Sequence, residues 1–162
     1  MSLIGLIVAL SACGIAGPPK EPIELTILHS GQVVGEISSC CCVVPKVGLA
    51  RRASAIAELR EAHEHLLVVD SGGTLFRGGY SEGSENPKLG ALIVEAMDLM
   101  GYDAMGLGVR DLGAPLSTVQ ARFGEAGFPI VSANVTPGRT LPNVQPFVLH
   151  KVGGHTVAIV GV

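Results

Sequence analysis

The 162-residue chain has no tryptophan, only two tyrosines and four phenylalanines, so aromatic residues make up 4% of it. A core without large rings must be built from Val, Ile, Leu and Ala, and the 22 glycines suit tight strand-to-helix loops. Charge is sparse as well. Charged residues make up 15% of the chain and the net charge is -3. No face or tail is basic enough to grip a polyanion, which excludes nucleic acid as a partner. No apolar run approaches the roughly 18 residues of a spanning helix, and neither an internal repeat nor a low-complexity stretch is present. Cysteine is scarce too, four in all, yet three of the four stand side by side at Cys40, Cys41 and Cys42.

The fourth, Cys13, closes an amino-terminal segment with its own pattern. Residues 2–10, "SLIGLIVAL", are apolar but too short to span a bilayer, and "LSAC" follows directly. Leu, two small residues and then Cys is the shape of a bacterial lipoprotein signal, in which the thiol takes a diacylglycerol and becomes the new first residue. No Lys or Arg precedes the run, so the charged n-region of such a signal is missing. "GIAGPPKEP", with three prolines and two glycines, reads as a tether. The expected organisation is therefore a signal peptide over 1–12, a tether over 13–22 and a folded domain over 23–162. Such a protein is held to the membrane through a lipid on Cys13, in the cell envelope, where thiols can be oxidised.

From Ile23 the pattern alternates. "IELTILH" predicts a strand ending at Ser30-Gly31, and "LARRASAIAELREAHEH" an amphipathic helix with Leu49, Ile56 and Leu59 on one side. "LLVVD" predicts a buried strand. "KLGALIVEAMDLMG" predicts a helix closed by Gly101. "YDAMGLG" predicts a third strand, "APLSTVQARFGEAG" a third helix with Pro115 near its first turn, and "FPIVSAN" a fourth strand. "QPFVLHKVGGHTVAIVGV" predicts two strands joined at Gly153-Gly154. Strands alternating with helices imply an α/β fold with a mainly parallel sheet and right-handed crossovers. The loops at the carboxyl ends of such strands build the site. Four segments should converge there: 30–47, 70–79, 108–113 and 134–143. The chain stops on the apolar "AIVGV", with no turn or polar tail, as a piece of a longer parent would.

Five blocks, "LTILHSGQVVGEI", "GLARRASAIAELR", "LLVVDSGGTLF", "GYDAMGLGVRDLG" and "FPIVSANV", resemble the 5′-nucleotidase branch of the calcineurin-like metallophosphoesterases in order and spacing. The resemblance covers most of Ile23 to Val162, about the first half or more of that family's catalytic domain. It implies a layered α/β/β/α sandwich with two divalent metals at the strand ends, held by Asp-x-His after the first strand, Gly-Asp after the second and Gly-Asn-His-Glu after the third. Here those positions hold Gln32 and Val34, then Gly73, then Val109, Arg110 and Asp111, and histidine ligands from further along would lie past Val162. A two-metal hydrolase needs carboxylate and imidazole donors. Gln32 is a weak neutral ligand, Val34 and Gly73 offer none, and Arg110 puts a cation where a metal should sit. Standard phosphohydrolase activity is not expected. Arg110 either holds an anion such as phosphate or sulfate, or pairs at the surface with Asp111 or another carboxylate, the commoner situation for a lone arginine.

Members of the superfamily also resemble this chain in carrying Cys-x-Cys just ahead of a Gly-Leu-Ala-Arg segment, which here would be Cys40 and Cys42, with Cys41 as the departure. Thiolates at i and i+2 of an extended loop project to one side and can chelate one soft ion, copper(I) or zinc, leaving Cys41 for a second ion or a partner thiol. A disulfide between adjacent cysteines is a strained ring, so a Cys40–Cys41 bridge is easily reduced. A soft-metal or redox loop and a structural disulfide both fit this spacing, since no second CxxC completes a metal motif. His29 could add a nitrogen or be an ordinary strand residue. His63 and His65 should face solvent at a helix end, and His150 and His155 could meet across the hairpin. Ser71 lacks the Gly-x-Ser-x-Gly setting of a nucleophile, and "SGG" and "GLG" are too short for a nucleotide-binding loop. The expected protein is an envelope lipoprotein with a degenerate metallophosphatase-like domain and a thiol loop for a soft metal or redox exchange. The alternative is a 5′-nucleotidase-type hydrolase of phosphate esters seen in part.

Overall fold

The structure, a computed structural model, describes residues 21–38, 48–77, 87–135 and 140–162. Five strands, β1 (Thr26–Ser30), β2 (Leu66–Asp70), β3 (Ala104–Gly106), β4 (Ile130–Val131) and β5 (Val144–Gln145), form one sheet in sequence order, every neighbouring pair parallel. Sequential order with right-handed crossovers places the intervening helices on a single face. That face carries α1 (Leu49–Ala62), α2 (Pro87–Met100) and α3 (Leu116–Glu125). Their buried side chains, Ile56, Ile93, Met97, Val119 and Phe123, pack with Val68, Met105 and Ile130 of the sheet in one cluster. The core is mainly aliphatic with three methionines, Met97, Met100 and Met105, but the few rings are not spared from it: Phe76, Tyr102, Phe123 and Phe128 are all buried in the same cluster.

Helix α2 shows how the local sequence sets an element. Ile93, Val94, Met97 and Met100 recur on one side at helical spacing and are all buried. Gly101 then turns left-handed at φ 69°, with its N–H bonded to Asp98 O and that of Tyr102 to Met97 O, which ends the helix in a Schellman motif. Helix α1 stops at Ala62, three residues earlier than the pattern suggested, and His63 is its C-cap.

The opposite face of the sheet meets the antiparallel hairpin of β6 (Phe147–Val152) and β7 (His155–Val160). Gly153 and Gly154, both at positive φ, make its two-residue turn. The helical layer, the parallel sheet and the hairpin make three of the four layers of the expected sandwich among the described residues. Along the hairpin, burial alternates. One side lies against the sheet, while Phe147, Leu149 and Val160 are exposed on the other. Two elements carried no sequence signal: β5, only two residues long, and a 3-10 helix at Val109–Leu112. No helix among the described residues is long and apolar enough to cross a membrane.

Candidate functional site at the carboxyl ends of the strands

Three of the four expected loops meet at one edge of the sheet. Beyond Ser30 and Asp70 the two chains stay side by side: the N–H groups of Gln32, Val34 and Gly35 donate to the carbonyls of Gly72, Gly73 and Thr74. The loop after β3 closes on them from the other side. A Cβ on Gly72 would lie 2.4 Å from both Gly106 O and Gly108 N, and one on Gly108 would lie 2.3 Å from Gly73 N. These backbones touch directly, so only glycine fits. Of the fourth segment, Asn134 and Val135 lie just beyond β4, residues 136–139 lie outside the described residues, and only the end from Thr140 to Asn143 departs from expectation. Gln120 Nε2 donates to Thr140 O, and Asn143 Nδ2 to Ala126 O and Phe128 O, so its described end runs back along α3 to the start of β5 and away from the rim.

Two buried aspartates hold the rim in shape. Asp111, wholly buried, accepts four backbone N–H groups: Gly73 (2.7 Å) and Gly108 (3.0 Å) at Oδ2, Thr74 (2.8 Å) and Leu75 (2.9 Å) at Oδ1. Burial pushes its carboxyl above the ordinary 3.8, and the four amides pull in the opposite direction. Asp70 accepts Ser30 Oγ at 2.6 Å, Thr74 Oγ1 at 2.7 Å and the Gly72 N–H at 2.8 Å, and Ser30 Oγ also lies 2.9 Å from Tyr102 OH. The backbone N–H groups of Gly72, Gly73, Thr74 and Leu75 thus all end on a carboxylate. In the sequence Asp111 stood out only as the acid of the third motif, and Asp70 not at all. For Asp70, an acid ending an apolar strand just before Ser-Gly-Gly was the available signal; Asp111, inside a short 3-10 turn, had none of that kind.

The positions that the resemblance assigned to metal ligands lie outward of this frame. Gln32 is exposed, at φ 55°, and its amide sits over Gly73, with Nε2 2.6 Å from where a Cβ would stand. Val34 is also left-handed, at φ 56°, a rare conformation for a β-branched residue. Val109 is 78% exposed. Arg110 does not pair with Asp111, whose oxygens face inward; its Nη1 donates to Arg77 O at 2.8 Å. Arg77 in turn bonds Glu36 at 3.1 Å. These side chains do not fit two hard dications: one neutral amide, two apolar groups, a glycine and a fixed guanidinium supply no anionic donor. No group of three or more His, Cys, Asp or Glu among the described residues is placed to share a metal ion.

Cys13, Cys40, Cys41 and Cys42 lie outside the described residues. On either side of the thiol segment, Leu49 N–H donates to Ile37 O at 3.2 Å, which joins the start of α1 to the chain leaving β1. His29 is exposed on β1 and lines a cavity of about 260 Å³ with Ser71, Val69 and Ile159, on the hairpin side of the sheet. The remaining histidines depart from expectation. His63 is half-buried with Nδ1 3.0 Å from Thr26 Oγ1, and His65 is half-buried beside the hairpin turn. His150 and His155 do not meet: one ring reaches Asp103 O at 3.2 Å, the other Glu21 O at 2.9 Å.

A parallel sheet wound in one direction, helices on one face, a hairpin on the other and three loops packed at the strand ends define a metallophosphatase-like fold. Comparison with known proteins agrees. The chain is 31% identical over 176 residues to the snake venom 5′-nucleotidase of Gloydius brevicauda, in a match that spans 98% of this chain and 29% of that protein. It superposes on the 5′-nucleotidase precursor of Thermus thermophilus with a TM-score of 0.72 and 26% identity, over 85% of this chain and 28% of the other. Against the calcineurin-like phosphoesterase YfkN of Bacillus subtilis the TM-score is 0.59 at 25% identity, over 83% and 46%. No family model matches the chain. The chain belongs to the metallophosphatase superfamily, in the region corresponding to the N-terminal domain of 5′-nucleotidases. It spans less than a third of the length of the curated relatives it matches.

Proposed function

We propose that this is a cell-envelope protein, anchored by a lipid on Cys13, whose metallophosphatase-type domain has lost two-metal phosphohydrolase chemistry. Its concentrated ligand chemistry is the Cys40–Cys41–Cys42 loop, which binds a soft ion such as copper(I) or zinc or exchanges disulfides with a partner thiol. The carrying observation is the set Gln32, Val34, Gly73, Val109 and Arg110 at the strand ends, none of which can give an anionic oxygen or an imidazole to a hard cation. Soft thiolates select a different class of metal. Elemental analysis of the isolated protein with a free-thiol count tests this. About one copper or zinc per chain, lost in a Cys40→Ser/Cys42→Ser double variant, is the expected result. Manganese or iron retained by that variant would refute it.

The second reading, a phosphoesterase of 5′-nucleotidase type, is favoured by the names of the relatives at 31% identity. Turnover of p-nitrophenyl phosphate or a nucleoside monophosphate with added manganese separates the two. Turnover that survives loss of the thiols supports the hydrolase.

A further inference from the structure

We infer that the outer face of α1 and α2 is a contact between two copies of this chain, a two-fold interface in which Leu99 of each copy enters a groove on the other. The inference is independent of what the strand-end loops or the thiols bind. An apolar groove of about 360 Å³ opens between the two helices. Its walls are the exposed Ala50, Ala53 and Ala57 of α1 and, on α2, Ala96 and Leu99; the buried Ile56 and Met100 lie beneath. Leu99 is 83% exposed, against 8% or less for Ile93, Val94, Met97 and Met100 of the same helix.

Two features name the occupant. First, projection and hollow share one face: Leu99 stands on the rim of a groove whose far wall carries only methyl side chains. A face that offers both a knob and a hole matches itself after a two-fold rotation, the arrangement of an isologous dimer. Second, the two borders of the groove carry opposite charge. On the α1 side, Arg60 Nη2 donates to Met100 O at 3.3 Å and to Gly101 O, which fixes the guanidinium at the groove's end. On the α2 side Glu95 is exposed, one turn before Leu99. Both helices link successive parallel strands, so they run in the same direction. A two-fold rotation about the groove therefore lays α2 antiparallel to the partner's α1. With Leu99 seated at the partner's Ala53, Glu95 falls one turn further on, towards the partner's Arg60, and the charges complement. Glu61 and Glu95 beside the groove disfavour the other apolar occupant, an anionic lipid surface.

The test is sedimentation velocity on the full chain from about 1 to 500 μM, with dithiothreitol present so that the cysteines cannot cross-link copies. A shift from monomer to dimer with a Kd on the order of 10 μM is expected for a patch of this size. Leu99→Ala, which removes the knob, should weaken the dimer about tenfold. Ala53→Glu, which fills the hole and places a charge in it, should leave monomer at every concentration. Glu95→Arg, set against the partner's Arg60, should weaken the dimer about threefold, and added salt should shrink that difference. All three positions are exposed on helices, so thermal melts of the variants should match wild type. Monomer throughout the range would overturn the inference, as would a dimer indifferent to both Leu99→Ala and Ala53→Glu. Flotation of a monomeric chain with phosphatidylglycerol vesicles, lost in Leu99→Ala, would overturn it in favour of a lipid surface.

Discussion

The rim has an inner and an outer half, built on opposite principles. Inside, Asp70, Asp111, Ser30 and Thr74 are buried or nearly so, and every polar atom described there has a partner. Outside, Gln32, Val109 and Arg110 are exposed, and Gln32 and Val34 hold left-handed backbone that glycine would accept more readily. The inner half fixes where the loops run; the outer half decides what they can bind. Because the two sets share backbone but not side-chain contacts, ligand positions can change while the turn geometry persists. A family fold is therefore compatible with residues such as Gln32, Val34 and Arg110 on the outer half.

The comparison breaks hardest at Gly72. A methyl there meets two backbone atoms at 2.4 Å and must sit at φ +85°. Left-handed strain and overpacking against a main chain that cannot step aside add up to about 3 kcal/mol or more. Gly72→Ala should unfold in chemical denaturant far earlier than wild type, and an unchanged midpoint would mean that the loops are not appressed as described. Asp111→Asn comes next. It keeps the volume but aims an NH₂ at amides that need an acceptor, a cost of about 2–3 kcal/mol for the groups left unpaired. The variant also reads out pH. Burial raises the folded carboxyl above 3.8, so in that window the folded state keeps a proton the unfolded chain has released. Stability from this group therefore falls as pH rises through the window and is level above it. The advantage of wild type over Asp111→Asn should be largest near pH 4 and shrink toward neutrality in urea melts.

The parallel sheet, the three helices and the hairpin were all legible in the sequence, because periodicity and glycine punctuation report burial and turns directly. So was the meeting of the first three loops. What escaped was tertiary. Nothing local marks Val144–Gln145 as a strand; it pairs because Asn143 fastens it to the end of α3 and to Ile130. Arg110 and Asp111 looked like an ion pair because they are neighbours, but a 3-10 turn sends one out and the other in. His63 was expected in solvent, yet the helix ends early enough to put its ring on Thr26.

Val34 sharpens the contrast from the outer side. For a β-branched residue, φ 56° costs roughly 1 kcal/mol or more relative to a backbone without a Cβ. Half-buried, it regains only part of that through contact. Val34→Gly should raise the denaturation midpoint, by about 1 kcal/mol at most after the added unfolded-state entropy is counted. A loss of stability would show that its side chain is packed into the rim.

Gln32→Ala is the smallest effect and the most direct check on the division itself. The residue is exposed, and although its amide lies over Gly73 it is the free end of a flexible side chain. An alanine at φ 55° keeps the backbone strain already present, so the change removes only a loose polar contact, worth within about 0.5 kcal/mol. Equal midpoints for wild type and Gln32→Ala, beside the large losses at Gly72 and Asp111, would show that the side chain of Gln32 in the outer half adds nothing to the stability of the frame. A loss approaching that of Asp111→Asn would instead make Gln32 part of the frame and erase the distinction.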